Sequence, residues 1–272
     1  MKKTSFEQPL IESETIEALS TKLLATTTQL MQSNRELTRI QNERNEMLAN
    51  ISHDLRAPIT AIRNAVDYLT LGKDLSPEDY QNTLALIDRR TKTLEDLIQD
   101  MYYLFCVEDL SKKLSLETIN PLAFFEEYFY DALADSRYDE HILNLQIDDT
   151  ICGNIQIDIQ KIVRVMDNLF TNAAKYSPKG THIDLIVKEH SSLNLLKVSV
   201  KDNGIGIPKG DLKHIFGRTY TVSSARTPNS TTGSGLGLSI VKAIIERHDG
   251  TVGCESTEGE GSEFFFTLPL YK

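Results

Sequence analysis

The chain has 272 residues, of which 40% are hydrophobic and 25% are charged, and it carries a net charge of −10. These values describe a globular protein of one large or two ordinary domains. The excess of acidic residues argues against nucleic acid or an anionic membrane surface as the main partner. The cysteines Cys106, Cys152 and Cys254 are widely spaced and form no CxxC pair, so they indicate neither a disulfide framework nor a zinc site.

The sequence also bears on location. No stretch approaches the roughly 18 to 20 consecutive apolar residues that span a bilayer, and the first residues lack the apolar core of a signal peptide. Unpaired cysteines fit a reducing compartment. We therefore expect a cytoplasmic protein, either wholly cytosolic or the cytoplasmic part of a longer, membrane-bound one.

A long helical pattern runs from about residue 11 to residue 71. From Ile16 to Ile51 the inward positions follow alternating three- and four-residue steps, and most of them are apolar. The helix would be roughly 90 Å long at 1.5 Å per residue, so we expect it to form a coiled coil with a second copy. Thr26, Ser33 and Arg44 at inward positions weaken this pairing, and they either set its register or mark an imperfect coil.

His53 lies on the outer side of this helix, about 200° around it from Ile51. Most surface histidines are only solvated, but here Asp54 can accept a hydrogen bond from one ring nitrogen and leave the other free to attack. Pro58 has no N–H, so the carbonyl of Asp54 lacks a helical partner and we expect a kink. An exposed nucleophile beside a carboxylate is a candidate reaction site.

A second helix is predicted to begin at Pro77, with Ser76 as its N-cap. Helices joined by so short a link are antiparallel, and two such hairpins would form a four-helix bundle with His53 on its outside. The predicted core stripe of this second helix comprises Tyr80, Leu84, Ile87, Thr91, Leu94, Ile98, Met101 and Phe105.

After residues 107 to 120 the pattern changes to short strands with interleaved helices. This predicts an α/β sandwich with helices on one face of a mixed sheet. Predicted strands lie at 142–147, 155–157, 183–187, 196–200, 251–254 and 264–268, and predicted helices at 122–133, 159–176 and about 235–248.

The chemistry of the sandwich is predicted to start on the helix at 159–176. Asn168, Asn172, Lys175 and Tyr176 share one face of it. A solvated polar face is the common alternative, but an amide oxygen is a suitable neutral ligand for Mg²⁺, which keeps waters and phosphates in its other positions. Lys175 would add positive charge beside those phosphates.

Two glycine-rich turns follow. Asp202-Asn203-Gly204-Ile205-Gly206 comes after a strand, where a buried aspartate can accept from an exocyclic amino group and glycines allow close approach to a flat ring. Gly233-Ser234-Gly235-Leu236-Gly237 opens a helix, where N–H groups can bind phosphates. Neither turn has the spacing of a Rossmann or P-loop motif.

The motifs together resemble those of sensor histidine kinases. His53-Asp54-Leu55-Arg56-Ala57-Pro58 is similar to their H-box, and Asn168–Tyr176, Asp202–Gly206, His214-Ile215-Phe216 and Gly233–Gly237 are similar to the N, G1, F and G2 boxes of the GHKL fold, which Hsp90, gyrase B and MutL share. The resemblance implies ATP and Mg²⁺ as cofactors and His53 as the phosphoryl acceptor. It further implies that Asn172 holds Mg²⁺, that Asp202 binds the adenine amino group, that Lys175, Arg218 and Arg226 hold phosphates, and that residues 208–232 form a lid. The nucleotide-binding set also includes Asn168, Tyr176, Gly204, Gly206, Gly233, Gly235 and Gly237.

By this resemblance the chain divides into a coiled-coil helix at 1–45, a dimerisation and phosphoacceptor hairpin at 46–112, and a GHKL ATP-binding domain at 113–272. The expected partners are a second copy of the chain and the receiver domain of a response regulator, whose aspartate takes the phosphoryl group. Whether transfer to His53 occurs within or between subunits depends on the handedness of the hairpin and stays open, as do the signal sensed and any membrane portion.

Two departures from the family pattern matter. Gly217 and Thr219 flank Arg218, where the family has an acidic and an aromatic residue, and Ala57 stands where phosphatase-active members carry Thr or Asn. We therefore expect weak phosphatase activity. A non-catalytic dimeric scaffold remains the main alternative function, and a GHKL ATPase clamp is a third.

Overall fold

The computed structural model describes residues 8–71, 75–109, 111–190, 193–217, 220 and 235–271. The chain divides into two compact units, Met1–His53 and Asp54–Lys272. Within the described residues, no helix combines the length and the apolar character that crossing a membrane requires.

Helix α1 spans Gln8–Leu71, so it begins about three residues before the predicted start at 11. Pro58 lies inside the helix, and the kink expected there stays a prediction. In the first unit, Met47 and Ile51 at the end of the predicted coiled-coil stripe are buried, whereas five apolar side chains before them are exposed in the single chain. They are Leu19, Leu23, Leu30, Leu37 and Ile40. Among the described residues of this unit, nothing covers these five side chains, and the pairing with a second copy stays a prediction.

Helix α2 spans Pro77–Glu108 and begins as predicted. The Ser76 hydroxyl accepts a hydrogen bond from the Asp79 N–H at 3.1 Å, and Pro77 occupies the first helical position, where its missing N–H is not needed. The capping residues therefore determine where this helix starts.

The sandwich of the second unit begins with a short strand and an aromatic-rich helix and ends with a β-hairpin. Its elements are β1 Glu117–Ile119, α3 Pro121–Leu133, a 3-10 helix Ser136–Tyr138, β2 Ile142–Ile147, β3 Ile155–Ile157, α4 Ile159–Tyr176, β4 His182–His190, β5 Leu195–Asp202, α5 Gly237–Arg247, β6 Val252–Thr257 and β7 Gly261–Pro269. Every predicted helix and strand of this domain is present, with bounds shifted by a few residues.

The main sheet has the strand order β2-β4-β5-β7-β6. Strand β2 runs parallel to β4 and the other pairs are antiparallel, so the sheet is mixed as predicted. Strand β3 has the predicted bounds but lies outside the main sheet. It pairs with β1 in a separate two-stranded sheet. The sequence did not indicate this partner, because a three-residue strand carries too little pattern.

The core lies between the main sheet and helices α3, α4 and α5. From α4, the side chains of Ile162, Val165, Met166 and Phe170 are fully buried. The ring of Phe170 packs edge-on against Tyr128 of α3, with centroids 5.4 Å apart. One face of α4 is thus held by apolar packing, which leaves its polar face for the site.

Helix α2 carries a second apolar face that the sequence analysis missed. Leu97, Leu104 and Val107 are buried, and α2 packs against α5. Arg247 of α5 donates through Nη1 to the carbonyl of Val107 at 2.9 Å and through Nη2 to the carbonyl of Lys112. The sandwich therefore contacts α2 through α5 in this structure.

Candidate functional site

Helix α4 positions the predicted polar face. The Asp158 carboxylate caps the helix by accepting from the Lys161 N–H at 3.4 Å and from Lys161 Nζ at 2.8 Å. It also accepts from the Ser115 N–H at 3.2 Å. The two bonds from Lys161 lie within the first turn of α4, whereas the bond from Ser115 connects Asp158 to a segment earlier in the chain. Together these bonds hold the start of α4 in place.

A cavity of about 780 Å³ lies beside this polar face. It brings together most of the residues predicted to bind a nucleotide. They are Asn168, Asn172, Lys175, Tyr176, Asp202, Gly206, Gly235 and Gly237. Its volume is in the range of small-molecule sites.

Asp202 ends β5 and is 4% exposed. Its Oδ1 accepts from the Gly204 N–H at 2.8 Å. Burial raises the pKa of the Asp202 carboxyl, and hydrogen bonds from the Gly204 and Ser262 N–H groups oppose that rise. A buried acceptor at the wall of a cavity suits a ligand that donates from an amino group.

The glycines after Asp202 stand where no side chain fits. A Cβ on Gly204 would lie 2.5 Å from the Tyr176 carbonyl oxygen, and a Cβ on Gly206 would lie 2.1 Å from that of Thr257. Gly206 also has a φ of 66°, which side chains rarely adopt. The turn therefore runs so close to neighbouring backbone that only glycine fits at these two positions.

Helix α5 begins at Gly237, as the second glycine turn predicts. A Cβ on Gly237 would lie 3.1 Å from Oδ1 of Asn168. Nδ2 of Asn168 is buried and has no hydrogen-bond partner among the described residues. An unpaired amide donor next to a helix N-terminus suits an anionic ligand.

Some predicted residues lie outside the described residues. They are Arg218, Arg226 and Gly233, together with most of the predicted lid at 208–232. The described part of the lid supplies Ile215, which is 4% exposed, and Tyr220, whose hydroxyl donates to Asp211 at 2.6 Å. Both line the cavity. The phosphate-binding role of the arginines and the closing of the lid stay predictions.

His53 and Asp54 are neighbours on α1. His53 belongs to the first compact unit and is exposed, as its helical position predicts. Asp54 begins the second unit and is half-buried. The pair thus presents its imidazole on the helix surface, where another molecule or domain can reach it.

The structure adds residues to the cavity wall that sequence reasoning missed. Arg164 of α4 forms an ion pair with Asp100 of α2, and its guanidinium carbon lies 5.8 Å from the Tyr103 ring centroid. Thr93, Asp96 and Asp100 line the wall from α2, and Arg137, Tyr138 and His141 line it near the start of β2. No local motif marks these residues, because Asp100 and Arg164 are 64 positions apart.

Comparison with known families divides the chain in two. Residues 43–109 match the model of the His Kinase A (phospho-acceptor) domain. Residues 157–272 match the model described as histidine kinase-, DNA gyrase B- and HSP90-like ATPase. The first match contains His53, and the second contains the whole polar face of α4 and both glycine turns.

Similar curated proteins cover most of the chain. The sensor histidine kinase WalK of Bacillus subtilis is 35% identical over 240 residues, which are 86% of this chain and 38% of WalK. The sensor protein kinase WalK of Staphylococcus saprophyticus is 33% identical over 234 residues, with the same two shares. The chain spans less than half the length of these relatives.

Solved structures share the fold. The histidine kinase AdeS of Acinetobacter baumannii superposes with a TM-score of 0.59 at 22% identity, over 81% of this chain and 98% of that one. The histidine kinase ThkA, solved in complex with the response regulator protein TrrA, superposes with a TM-score of 0.65 at 23% identity, over 83% of this chain and 61% of that one. The likeness therefore includes the order of helical and α/β parts.

Proposed function

Because the chain belongs to the sensor histidine kinases, we propose that it is an ATP-dependent protein-histidine kinase that phosphorylates His53 and passes the phosphoryl group to an aspartate of a response-regulator receiver domain. The observation that carries the proposal is the single cavity that joins the polar face of α4 to buried Asp202 and to the start of α5. The second feature that a histidine kinase needs is an exposed histidine beside a carboxylate, which His53 and Asp54 on α1 provide.

The described residues fit an adenine nucleotide. Asp202 offers a buried acceptor for the amino group of the base, and Gly206 lies on the same cavity wall. Lys175 carries positive charge into the same cavity. The site thus has an acceptor for the base and a cation for the phosphates, within an otherwise acidic protein.

Magnesium fits the same face. Asn172 would hold Mg²⁺ through its amide oxygen, with phosphates and water in the other positions, as this ion prefers. Among the residues that the structure describes, no group of three or more His, Cys, Asp or Glu side chains could hold a metal ion. A nucleotide-bound Mg²⁺ needs no such cluster. Bound Mg²⁺ would offset the negative charge of the transferred phosphoryl group.

The proposed reaction makes and breaks one bond at each stage. A ring nitrogen of His53 forms a bond to the terminal phosphorus of ATP, the bond to the leaving ADP oxygen breaks, and the imidazole proton is released. Asp54 would accept a hydrogen bond from the other ring nitrogen and so hold the required tautomer. Phosphoryl transfer is mostly positioning and charge neutralisation, which these residues supply.

The proposal extends to partners and arrangement. We propose a homodimer through the hairpin at 46–112, a coiled coil at 1–45 and an ATP-binding domain at 113–272. The receiver domain of a response regulator is the proposed acceptor, and the ThkA structure with TrrA supports a partner of this class. The sensing portion would lie outside this chain, since the relatives extend well beyond it.

Incubation of the purified chain with γ-labelled ATP and Mg²⁺ tests the activity. We expect acid-labile, base-stable label on the unmodified chain and none on His53→Gln. His190→Gln, which changes an exposed histidine outside the cavity, is the matched control and should label normally. Saturable ATP binding without any label would contradict the kinase and favour the dimeric scaffold.

Ala57 leads to a second expectation for the same enzyme. Its methyl group cannot position a water molecule, so the chain should dephosphorylate a phosphorylated receiver domain slowly. Ala57→Thr should raise that rate, measured without nucleotide in the presence of Mg²⁺. Fast dephosphorylation by the unmodified chain would contradict this part of the proposal.

A further inference from the structure

His141 lines the cavity, but the proposed function gives it no role. It lies in the turn between the 3-10 helix and β2, where its N–H donates to the Tyr138 carbonyl at 2.8 Å. Two hydrogen bonds join this turn to the segment that follows α4. The Gly180 N–H donates to the Glu140 carbonyl at 2.6 Å, and the Ile142 N–H donates to the Thr181 carbonyl at 2.9 Å. The imidazole is therefore held beside the last turn of α4, with Lys175 on the same cavity wall.

Both ring nitrogens of His141 are buried, and neither has a hydrogen-bond partner among the described residues. Two charged side chains close to His141 in sequence are already paired with other residues. Glu140 accepts from Lys179 at 2.5 Å, and Arg137 lies 2.6 Å from Asp135. Because an unpaired buried polar atom is costly, such atoms in native proteins call for an explanation. A ligand that reaches this end of the cavity would provide one.

The chemistry of imidazole limits which class of ligand group can pair with this ring. A neutral ring has one nitrogen that donates and one that accepts. Phosphate oxygens only accept at neutral pH, so they can serve only the N–H. A hydroxyl both donates and accepts, so it can pair with whichever nitrogen faces it. The unpaired ring therefore suits a hydroxyl-bearing group such as a sugar.

The sheet register gives the position of this group relative to the base. Ile142, next to His141, pairs with His182 of β4, and the adjacent Ile183 pairs with Asp202 at the end of β5. His141 is thus about two strand spacings, or roughly 10 Å, from Asp202 along one edge of the sheet. A nucleoside held through its amino group at Asp202 would place its sugar about that far away.

We propose that His141 recognises a ribose hydroxyl of the bound adenine nucleotide. The ring turns about its Cβ–Cγ bond, a torsion with broad preferences in histidine, and presents one nitrogen to the sugar. This inference rests on the proposed function, because it takes Asp202 as the residue that binds adenine. His141 would then make the site select ribonucleotides over deoxyribonucleotides.

Calorimetric titration of the full chain with Mg²⁺ and ADP, 2′-deoxy-ADP or 3′-deoxy-ADP tests this proposal without turnover. We expect at least one deoxynucleotide to bind about tenfold more weakly than ADP, the loss typical of one hydrogen bond. His141→Leu should bind all three ligands alike. His141→Gln keeps a donor and an acceptor and should retain part of the preference.

His190→Leu is the matched control, since this exposed histidine at the end of β4 lies outside the cavity, and it should keep the full preference. Equal binding of the three ligands by the unmodified chain would overturn the proposal, as would a preference that survives in His141→Leu. If His141→Leu does not unfold cooperatively on heating, the nucleotide preferences of the unmodified chain and of His141→Gln test the proposal instead. Failure of the unmodified chain to bind any of the three ligands would instead contradict the nucleotide site itself.

Discussion

The N-terminal part of α1 and helix α4 carry the same kind of apolar stripe but complete it differently. Leu19, Leu23 and Leu30 of α1 are 66%, 70% and 69% exposed, whereas Ile162 and Met166 of α4 are 0% exposed. Periodicity predicts an apolar face in both helices. Among the described residues, the stripe of α4 is covered and the N-terminal part of the α1 stripe is not, so that part needs a surface from elsewhere.

Helix α2 combines both situations. Leu104 is 0% exposed, while Tyr80 and Leu84 in the first turns of α2 are 47% and 39% exposed. One face of α2 is therefore satisfied inside the chain, and the other remains available for the predicted bundle. The contrast predicts two different effects of truncation. Truncating a buried stripe residue should lower the free energy of unfolding, and truncating an exposed one should weaken dimerisation.

The largest effect is expected in α4. Phe170→Ala removes a fully buried ring that packs on Tyr128, and such truncations typically cost about 3–5 kcal/mol. Urea denaturation should show this loss in the free energy of unfolding of the α/β unit. Leu23→Ala is the control and should leave that transition unchanged. A loss below about 1 kcal/mol for Phe170→Ala would mean that α4 is not packed as described.

Within α2, the same test separates its two faces. Leu104→Ala should lower the free energy of unfolding by about 2–5 kcal/mol, the usual range for a buried leucine. Leu84→Ala should change it little in the monomer and should weaken the dimer instead. Urea denaturation at several protein concentrations measures both quantities. Equal, concentration-independent losses in the two variants would contradict the assignment of two distinct faces.

In α1, Leu23→Ser and Leu30→Ser should act on association alone. Each removes a side chain whose burial at an interface contributes about 1.5–3 kcal/mol, so each should raise the dimer dissociation constant by about tenfold or more. Analytical ultracentrifugation measures this constant. Gln29→Ser, at a position outside the stripe, is the control. Unchanged dimerisation in both leucine variants would exclude a coiled coil through this face.

The smallest expected effect is a pH dependence of stability caused by the buried side chain of His248. His248 is 5% exposed, accepts from the Asp158 N–H through Nε2 at 3.0 Å, and lies 2.8 Å through Nδ1 from the Ile244 carbonyl. Burial lowers the pKa of its imidazole, so the folded state keeps the ring neutral. The unfolded state takes up the proton below its ordinary pKa of about 6.5.

It follows that the contribution of His248 to stability is fully present above pH 7 and decreases as the pH falls below about 6.5. The free energy of unfolding should fall by at most about 1.4 kcal/mol per pH unit from this group. Denaturation between pH 7.5 and pH 5 measures the slope. His248→Asn should flatten it, while His190→Gln should not. An unchanged slope in His248→Asn would mean that other groups cause the acid sensitivity.

The features that the sequence predicts correctly are those that local chemistry determines. Ser76 and Pro77 start α2, and the residue spacing places Asn168, Asn172 and Lys175 on one face of α4. Each depends on residues within two or three helical turns. Spacing, capping and glycine turns can be read over such distances without knowing the fold.

Other features required the tertiary structure. The pairing of β3 with β1, the second apolar face of α2 and the position of His141 in the cavity depend on segments that are distant in the sequence. No periodicity or motif encodes such a distance, because the packing of the whole sheet determines which edges and faces meet. The sequence by itself therefore determined the helices, the turns and the chemistry that they carry. The tertiary structure decided which of them share one cavity and which apolar faces remain uncovered.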